Sequence, residues 1–265
     1  MALIPCICVS TAYICITLWL AEASRNTLKT FLNDHPLLQT GLLEAIATAE
    51  LCGVGFELVI IADNYGVLCY GIYLFFLTIW WSSAWSVEKV CPYLHFEDCL
   101  LGRKSWMEAG VCTLAETVGG LLVFQYIYFL WWLEITETHV GRAHSATFNN
   151  CPSDLHVSTL GGVFVEGIAT MLCRISSKFL ADQQPQYSTA IDSFIATFLV
   201  VASFNYSGGY LNPVLATSLK YGCKGHPLLE HVLVYWIGAS LGAIASIFVY
   251  PMLSQRFEEL KTKEE

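Results

Sequence analysis

The chain has 265 residues, of which 55% are hydrophobic and 13% are charged, and its mean hydropathy is +0.54. The charged fraction is about half of the roughly 25% found in soluble domains, which excludes a disordered chain, a coiled coil and an ordinary cytosolic enzyme. The net charge of −9 excludes nucleic acid as a partner, because a surface that binds phosphates needs an excess of cations. The expected partner is membrane lipid.

The first predicted element is a hydrophobic N-terminal helix over residues 1–23. Residues 1–21 carry no charge, and about 20 apolar residues suffice to cross a bilayer. Ala21-Glu22-Ala23 also resembles a signal-peptide cleavage site, although the usual positively charged start of a signal peptide is missing. We favour an uncleaved extra helix followed by a cytosolic linker over 24–40, and leave cleavage open.

Six further segments are apolar enough to belong to membrane spans. Two of them carry charged residues, whereas the other four contain none. Soluble cores do not use charge-free runs of this length, so the pattern predicts a multi-pass membrane protein. The segments are 41–62, 64–87, 117–133 (in a helix that begins near Ser105), 157–180, 193–219 and 231–255.

Two short stretches, 91–102 and 212–222, are too short to cross the membrane. Each has a proline at its second position, Pro92 and Pro213. Proline is favoured in the first turn of a helix, where its missing N–H is not needed. We therefore predict two half-helices that enter the membrane without crossing it.

The sequence repeats itself at an offset of 121 to 123 residues, which is the signature of an internal repeat. Each repeat holds two spans, a half-helix and a third span. Because three is an odd number, the second repeat is inserted upside down relative to the first, which places a functional site near the bilayer midplane. The matching segments are Leu43–Thr48 with Val165–Thr170, Cys91-Pro92-Tyr93 with Asn212-Pro213-Val214, and Ala115–Gly120 with Gly238–Ala243.

These boundaries divide the rest of the chain into four parts. The first repeat covers 41–133 and the second covers 157–252, joined by a non-cytosolic loop over 134–156 and followed by a cytosolic tail over 253–265. Lys and Arg support this orientation, because cytosolic segments carry an excess of positive charge. Ten of the 13 Lys and Arg residues fall in the segments expected inside, and only Arg142, Lys220 and Lys224 fall outside.

The paired Pro-containing motifs, each in a repeat whose first span carries Glu-x-x-x-Thr, resemble the aquaporin (major intrinsic protein) superfamily. Residues 207–214, Ser-Gly-Gly-Tyr-Leu-Asn-Pro-Val, resemble that family's second signature loop, and 115–120 resemble its third-helix pattern with Glu116 in place of Gln. The altered first motif and the cysteine-rich N-terminus are most similar to the unorthodox intracellular aquaporins, or superaquaporins, and the Cys-Pro-Tyr form resembles their insect members. The resemblance implies an all-α bundle of six tilted transmembrane helices and two re-entrant half-helices, here with an extra N-terminal helix, and a homotetramer.

The resemblance also implies a pore where the two half-helices meet. Their N-termini carry free N–H groups and partial positive charge, and such half-helix dipoles are known to help exclude protons and cations in aquaporins. The side chain of Asn212 can cap its helix, whereas Cys91 caps poorly. The residues of the two motifs are Cys91, Pro92, Tyr93, Asn212, Pro213 and Val214.

Glu44 and Glu166 lie at matching places inside predicted spans. A carboxylate at the centre of a bilayer costs about 2.5–3.5 kcal/mol, so two at equivalent places need a shared reason. By resemblance, they accept hydrogen bonds from the re-entrant loops and hold them rigid. The alternative is that both lie near the membrane interface.

The family's selectivity filter maps here to Gly71, Val200, Gly209 and Leu215, with Leu215 at the place of the filter arginine. Because the first half aligns loosely, Tyr70 or Tyr73 could replace Gly71. These residues imply a wide, apolar neck, which penalises water but tolerates small neutral solutes such as glycerol or hydrogen peroxide.

The chain is therefore expected to be a passive channel without catalytic residues or a cofactor. The alternatives are a non-conducting scaffold of the same fold and an intramembrane enzyme that uses Cys91, with His95 one turn away. Lys261 and Lys263 near the end resemble a cytosolic dilysine retrieval signal, which favours the endoplasmic reticulum or another internal membrane over the plasma membrane.

The cysteine pattern argues against a metal site. Most of the eleven cysteines lie inside apolar runs, where cysteine is usually a small hydrophobe, and no Cys-x-x-Cys pair is present. Cys151 and Cys223 are the only ones expected outside the membrane on the non-cytosolic side. A disulfide between them, or between subunits, is left open.

Overall fold

A computed structural model describes residues 4–145, 151–225 and 227–264, with the side chains of 145 and of 261–264 outside the description. Within this part of the chain the protein is all-α, as predicted, and six helices are long and apolar enough to cross a membrane. The elements are α1 (Cys6–Phe31), α2 (Pro36–Ala84), α3 (Pro92–Leu100), α4 (Trp106–Trp131), α5 (Glu137–Ser145), α6 (Thr159–Gln183), α7 (Ser188–Ser207), α8 (Pro213–Lys220), α9 (Leu228–His231), a π-helical turn (Val232–Gly238) and α10 (Ala239–Glu264).

Helix α2 supplies two of the predicted spans. It has 49 residues, about 70 Å of helix and enough for two crossings. Its path breaks at Gly66, where φ is +84°, a conformation that glycine adopts without strain. We call the side of the molecule at Pro36 the inner side and the side at Gly66 the outer side.

The N-terminal helix is longer than predicted. The structure continues α1 through Phe31, so the linker expected over 24–40 shrinks to residues 32–35. The reason is Arg25, which is buried and forms an ion pair with the buried carboxylate of Glu50 on α2. Farther out, the hydroxyl of Tyr13 donates to the backbone of Leu130 on α4. Helix α1 thus packs against the first repeat at both ends.

Equivalent helix crossings occur in the two repeats. A Cβ added at Gly119 on α4 would lie 2.2 Å from the carbonyl oxygen of Ala45 on α2. A Cβ added at Gly242 on α10 would lie 2.0 Å from the carbonyl oxygen of Gly167 on α6. Small residues therefore allow the same close backbone approach in each half, as is common where helices meet in membranes.

The predicted connecting loop and the predicted tail both contain helix. The loop over 134–156 holds α5, which docks through His139, whose ring is buried against Glu57 and Thr136. The tail over 253–265 is a continuation of α10 to Glu264, and the ring of Phe257 packs edge-on against Phe179 of α6. The predicted retrieval residues Lys261 and Lys263 lie on this helix, but their side chains are outside the described part.

Candidate functional site

The two half-helices begin in the same way but are capped differently. Helix α3 begins after Cys91 and α8 begins after Asn212, with a proline at the first helical position of each. The side chain of Asn212 accepts hydrogen bonds from the N–H groups of Val214 and Leu215, at 3.0 and 3.3 Å. Cys91 makes no side-chain capping bond. The free N–H groups that open α3 therefore lack the side-chain partner that α8 has.

The residue before each cap has a left-handed backbone. Val90 has φ of +59° and Leu211 has φ of +50°, at an offset of 121 residues. Such conformations are strained for side chains with a Cβ and cost about 1–3 kcal/mol each. Two residues at equivalent positions share this strain, which shows that the inverted repeat extends to the backbone of the re-entrant loops.

Glu44 and Glu166 hold these strained residues in place. Glu44 accepts hydrogen bonds from the N–H groups of Lys89 and Val90, at 3.0 and 2.9 Å. Glu166 accepts from the N–H groups of Tyr210 and Leu211, at 3.2 and 2.8 Å, and from the hydroxyl of Ser207. Both carboxylates are buried, so they are not at a hydrated interface.

The starts of the two half-helices are joined to each other. The side-chain amide of Asn212 donates to the carbonyl oxygen of Val90 at 2.7 Å, and the hydroxyl of Tyr93 donates to the carbonyl oxygen of Leu211 at 2.9 Å. Val214 is buried against Gly120 of α4. The two motifs therefore meet head to head between the repeats, and one amide donor of Asn212 is used within the protein.

Beyond Cys91, the first turns of α3 contact a cluster of charged side chains. The ring of His95 lies between Glu116, at 2.9 Å, and the ammonium of Lys104, at 3.0 Å, while Lys104 also approaches the sulfur of Cys112 at 3.2 Å. Glu44, His95 and Cys112 could together ligate a metal ion by their spacing. In the structure, however, the ammonium of Lys104 supplies a cation to this cluster, and both ring nitrogens of His95 face these partners.

A second charged contact ties α3 to the other repeat. The buried carboxylate of Glu97 accepts hydrogen bonds from Arg174 at 3.0 Å and from Lys178 at 2.8 Å, both on α6. In the sequence, Arg174 and Lys178 are only two of the ten cations on the expected inner side. That Glu97 has a cationic partner could have been expected from the sequence, because an acidic residue inside a short apolar helix needs a cation nearby.

A cavity of about 390 Å³ opens beside α8 and runs along α2. It is lined by α2, α4, α5, α7, α8 and the loops before α6 and α8. Many of the lining side chains are aromatic or aliphatic, among them Phe56, Leu58, Tyr70, Leu74, Phe124 and Phe204. Cys91, Tyr93 and Asn212 are not among the residues that line it.

Two of the four predicted filter residues line this cavity. Gly209 and Leu215 do so, whereas Gly71 and Val200 do not. A Cβ at Gly71 would instead meet the side chain of Val201 at 3.1 Å, because Gly71 is a packing residue between α2 and α7.

Tyr70 and Phe204 line the cavity from α2 and α7, the helices that carry Gly71 and Val200. Their rings are 5.2 Å apart between centroids. The lining of the cavity thus includes aromatic rings beside the predicted filter residues Gly209 and Leu215. Tyr70 is one of the two alternatives to Gly71 in the loosely aligned first half.

The outer end of the cavity carries charges and a disulfide. Asp63, Arg142, Asp154 and Lys220 all line it. Cys151 and Cys223 are joined by a disulfide, which ties the loop before α6 to the loop after α8. The sequence left open whether this disulfide forms within one chain or between subunits. The structure contains the disulfide within one chain.

The inner end of the cavity reaches Trp81 near the end of α2. Its indole stacks on that of Trp85, and both N–H groups donate to Glu50, at 3.1 and 3.3 Å. Because Glu50 is also the partner of Arg25, helix α1 contacts the same cluster that bounds the cavity on the inner side.

The comparisons with known proteins agree with this architecture, although no protein-family model matches the chain. The chain is similar to aquaporin-11 of Milnesium tardigradum, at 26% identity over 80% of this chain and 76% of that protein. It is similar to aquaporin-11 of Equus caballus, at 25% identity over 92% and 89%. It is also similar to the putative aquaporin-12A of Homo sapiens, at 25% identity over 94% and 82%.

These relatives and the long apolar helices support a multi-pass membrane protein of the aquaporin channel type. The curated homologues of this chain are aquaporin-11 and aquaporin-12 proteins, the unorthodox group of the aquaporin superfamily.

Proposed function

We propose that the chain is a passive channel for water and small neutral solutes, and that it works without catalytic residues or a cofactor. The observation that carries this proposal is the head-to-head contact of the two half-helices through Asn212 and Tyr93. Two helix N-termini that face each other place partial positive charge at the centre of the protein. Such an arrangement disfavours cations and leaves neutral molecules unaffected.

The lining of the cavity supports small neutral permeants. Tyr70 and Phe204 offer ring faces, and Leu215 offers an aliphatic surface. A neck of this kind gives water few hydrogen bonds and tolerates molecules with carbon faces. Glycerol and hydrogen peroxide are the two solutes that we propose beside water.

The proposed location is an internal membrane, with the endoplasmic reticulum first. The inner side would be cytosolic, because ten of the Lys and Arg residues fall in segments expected there. Lys261 and Lys263 would then be readable as a retrieval signal. A tagged chain with both lysines replaced by serine should move toward the cell surface, and a wild-type chain found chiefly at the plasma membrane would contradict this placement.

The central experiment is stopped-flow light scattering on proteoliposomes of purified protein. Water and glycerol gradients would be applied to one preparation, with protein-free vesicles as the control. Flux of either solute above the control supports the channel. The variant Tyr70→Ala, which widens the neck, should raise the ratio of glycerol to water permeability, whereas Tyr73→Ala is the matched control because Tyr73 does not line the cavity.

The second candidate function is a non-conducting scaffold. The observation that favours it is the stacked pair of Trp81 and Trp85 at the inner end of the cavity. If folded protein conducts neither water, glycerol nor hydrogen peroxide, and Trp81→Ala restores no flux, the scaffold becomes the better proposal. We expect the protein to form a homotetramer in either case, which size measurement by light scattering of the detergent-solubilised protein tests.

A further inference from the structure

Two ion pairs line the outer end of the cavity. One joins Arg142 of α5 to Asp63 at the outer end of the first span of α2. The other joins Lys220, the last residue of α8, to Asp154 in the loop before α6, at 2.7 Å. His156 aside, these four are the charged side chains among the described residues that line the cavity.

The two pairs differ in their exposure to solvent. The side chains of Arg142 and Asp63 are 35% and 57% exposed, so water and salt screen their charges. The side chain of Lys220 is 10% exposed and that of Asp154 is 29% exposed. Charges with little solvent around them act more strongly on a passing ion, because the local dielectric constant is lower. The pair of Lys220 and Asp154 therefore dominates the field at this end.

Both members of this pair are held in fixed positions. The ammonium of Lys220 also lies 3.4 Å from the carbonyl oxygen of Pro152. The carboxylate of Asp154 also accepts the hydroxyl of Tyr210, which is in the loop before α8.

The chain segment that carries Asp154 is itself anchored. It is fixed by the disulfide of Cys151 with Cys223 and by backbone hydrogen bonds between Cys151, Ser153 and Lys224. Neither charge can move away from the cavity without breaking several contacts.

The neck inside this pair contains no charge. Leu215 stands where the family resemblance would place an arginine, and Tyr70, Phe204 and Gly209 are also uncharged. Besides the half-helix dipoles at the centre of the protein, the fixed charges that could select among ions are therefore those at the outer end of the cavity.

We propose that the Lys220–Asp154 pair determines the charge selectivity of the outer mouth. This inference rests on the proposed function, since it needs a conducting cavity. When both residues are present, their charges balance and the mouth favours uncharged solutes. When one is removed, the other remains as a poorly screened charge beside the cavity and attracts ions of the opposite sign.

The test measures water, potassium and chloride flux on the same proteoliposomes. Lys220→Gln leaves Asp154 uncompensated and should raise potassium flux about tenfold without raising chloride flux, which corresponds to about 1.4 kcal/mol of attraction by a partly shielded charge. Asp154→Asn keeps the hydrogen bond to Tyr210 and should raise chloride flux instead. The double variant should return both ion fluxes to the wild-type level.

The matched control is Arg142→Gln, which removes a positive charge from the exposed pair and should change neither ion flux. Each variant is first shown to be monodisperse and to retain the disulfide on a non-reducing gel. Equal potassium and chloride fluxes in the two single variants, with water flux intact, would overturn the inference and leave the channel standing. Wild-type protein without any water or solute flux would instead overturn the proposed function, and the inference with it.

Discussion

Helix α8 starts at an asparagine that caps it, whereas α3 starts at a cysteine that does not. The backbone of the two half-helices is otherwise the same, down to the left-handed residue before each cap. The side chains that hold them differ. At an offset of 121 residues, His95 and Glu97 of α3 stand where Ala216 and Ser218 stand in α8.

The difference shows two ways to hold a short helix inside a membrane protein. Apart from the ion pair of Lys220 at its last residue, α8 uses hydrogen bonds of neutral groups, such as the hydroxyl of Ser218, which donates to the carbonyl oxygen of Gly120. Helix α3 uses ionic contacts, in which Glu97 binds two cations of α6 and His95 lies beside Glu116. We infer that the charges compensate for the missing cap, at the cost of making α3 dependent on buried ion pairs.

The largest loss of stability is expected at Glu44 and Glu166, which hold the loops before α3 and α8 in the same way. Glu166→Ala removes the acceptor for three hydrogen bonds and leaves two buried N–H groups without a partner, each of which costs about 1–3 kcal/mol. We expect the free energy of unfolding to fall by about 4 kcal/mol, so that little folded protein remains. We expect the same result for Glu44→Ala. Size-exclusion chromatography of a fluorescent fusion measures the folded fraction, with the exposed Glu22→Ala as the control. A clear loss in only one of the two variants would contradict the equivalence of the two loops.

The next largest loss of stability should differ between the two half-helices. Glu97→Gln leaves Arg174 and Lys178 without their buried anion, and breaking such a pair costs about 3 kcal/mol. Ser218→Ala, at the matching position, removes one neutral hydrogen bond and should cost about 1 kcal/mol. Thermal unfolding in detergent measures both. Equal shifts in the midpoint temperature would show that α3 does not depend on ionic contacts more than α8 does.

A smaller loss is expected at the cap of α8. Asn212→Ala removes the acceptor for the N–H groups of Val214 and Leu215, and caps of this kind are worth about 0.5–2 kcal/mol. The variant also loses the bond to Val90 in the other repeat, so we expect the upper end of that range. Asn212→Asp, which keeps the cap acceptor but loses the amide donor, separates the two contributions. Destabilisation by Asn212→Asp as large as that by Asn212→Ala would assign the effect to the link between the repeats.

The sequence predicted the parts of this comparison that depend on periodic or repeated patterns. Charge-free runs located the spans, and the matched prolines located both half-helices, because these features need no knowledge of distant contacts. The pairing of Glu97 with Arg174 could not be predicted, since these residues are 77 positions apart. The pairing of Arg25 with Glu50 was missed because Arg25 was expected in a cytosolic linker rather than on a helix that packs against α2. Of the candidates left open for the filter position on α2, Tyr70 lines the cavity and Gly71 does not, because one residue along a helix turns the side chain by about 100°.

The smallest effect, and the sharpest test of compensation, is at Cys91. Cys91→Ser changes one atom and provides a hydroxyl oxygen that can accept from the first N–H groups of α3, whereas Cys91→Ala provides none. If the first N–H groups of α3 lack hydrogen-bond acceptors, the serine variant should be more stable than the alanine variant by about 1 kcal/mol, as at other helix N-termini. Thermal unfolding of the two variants beside wild type measures this difference. Stabilities that are equal for serine and alanine would mean that the contacts of Glu44, Glu97 and His95 already fix α3 so firmly that a cap adds nothing. The ionic contacts of α3 would then do fully, rather than in part, what the Asn212 cap does for α8.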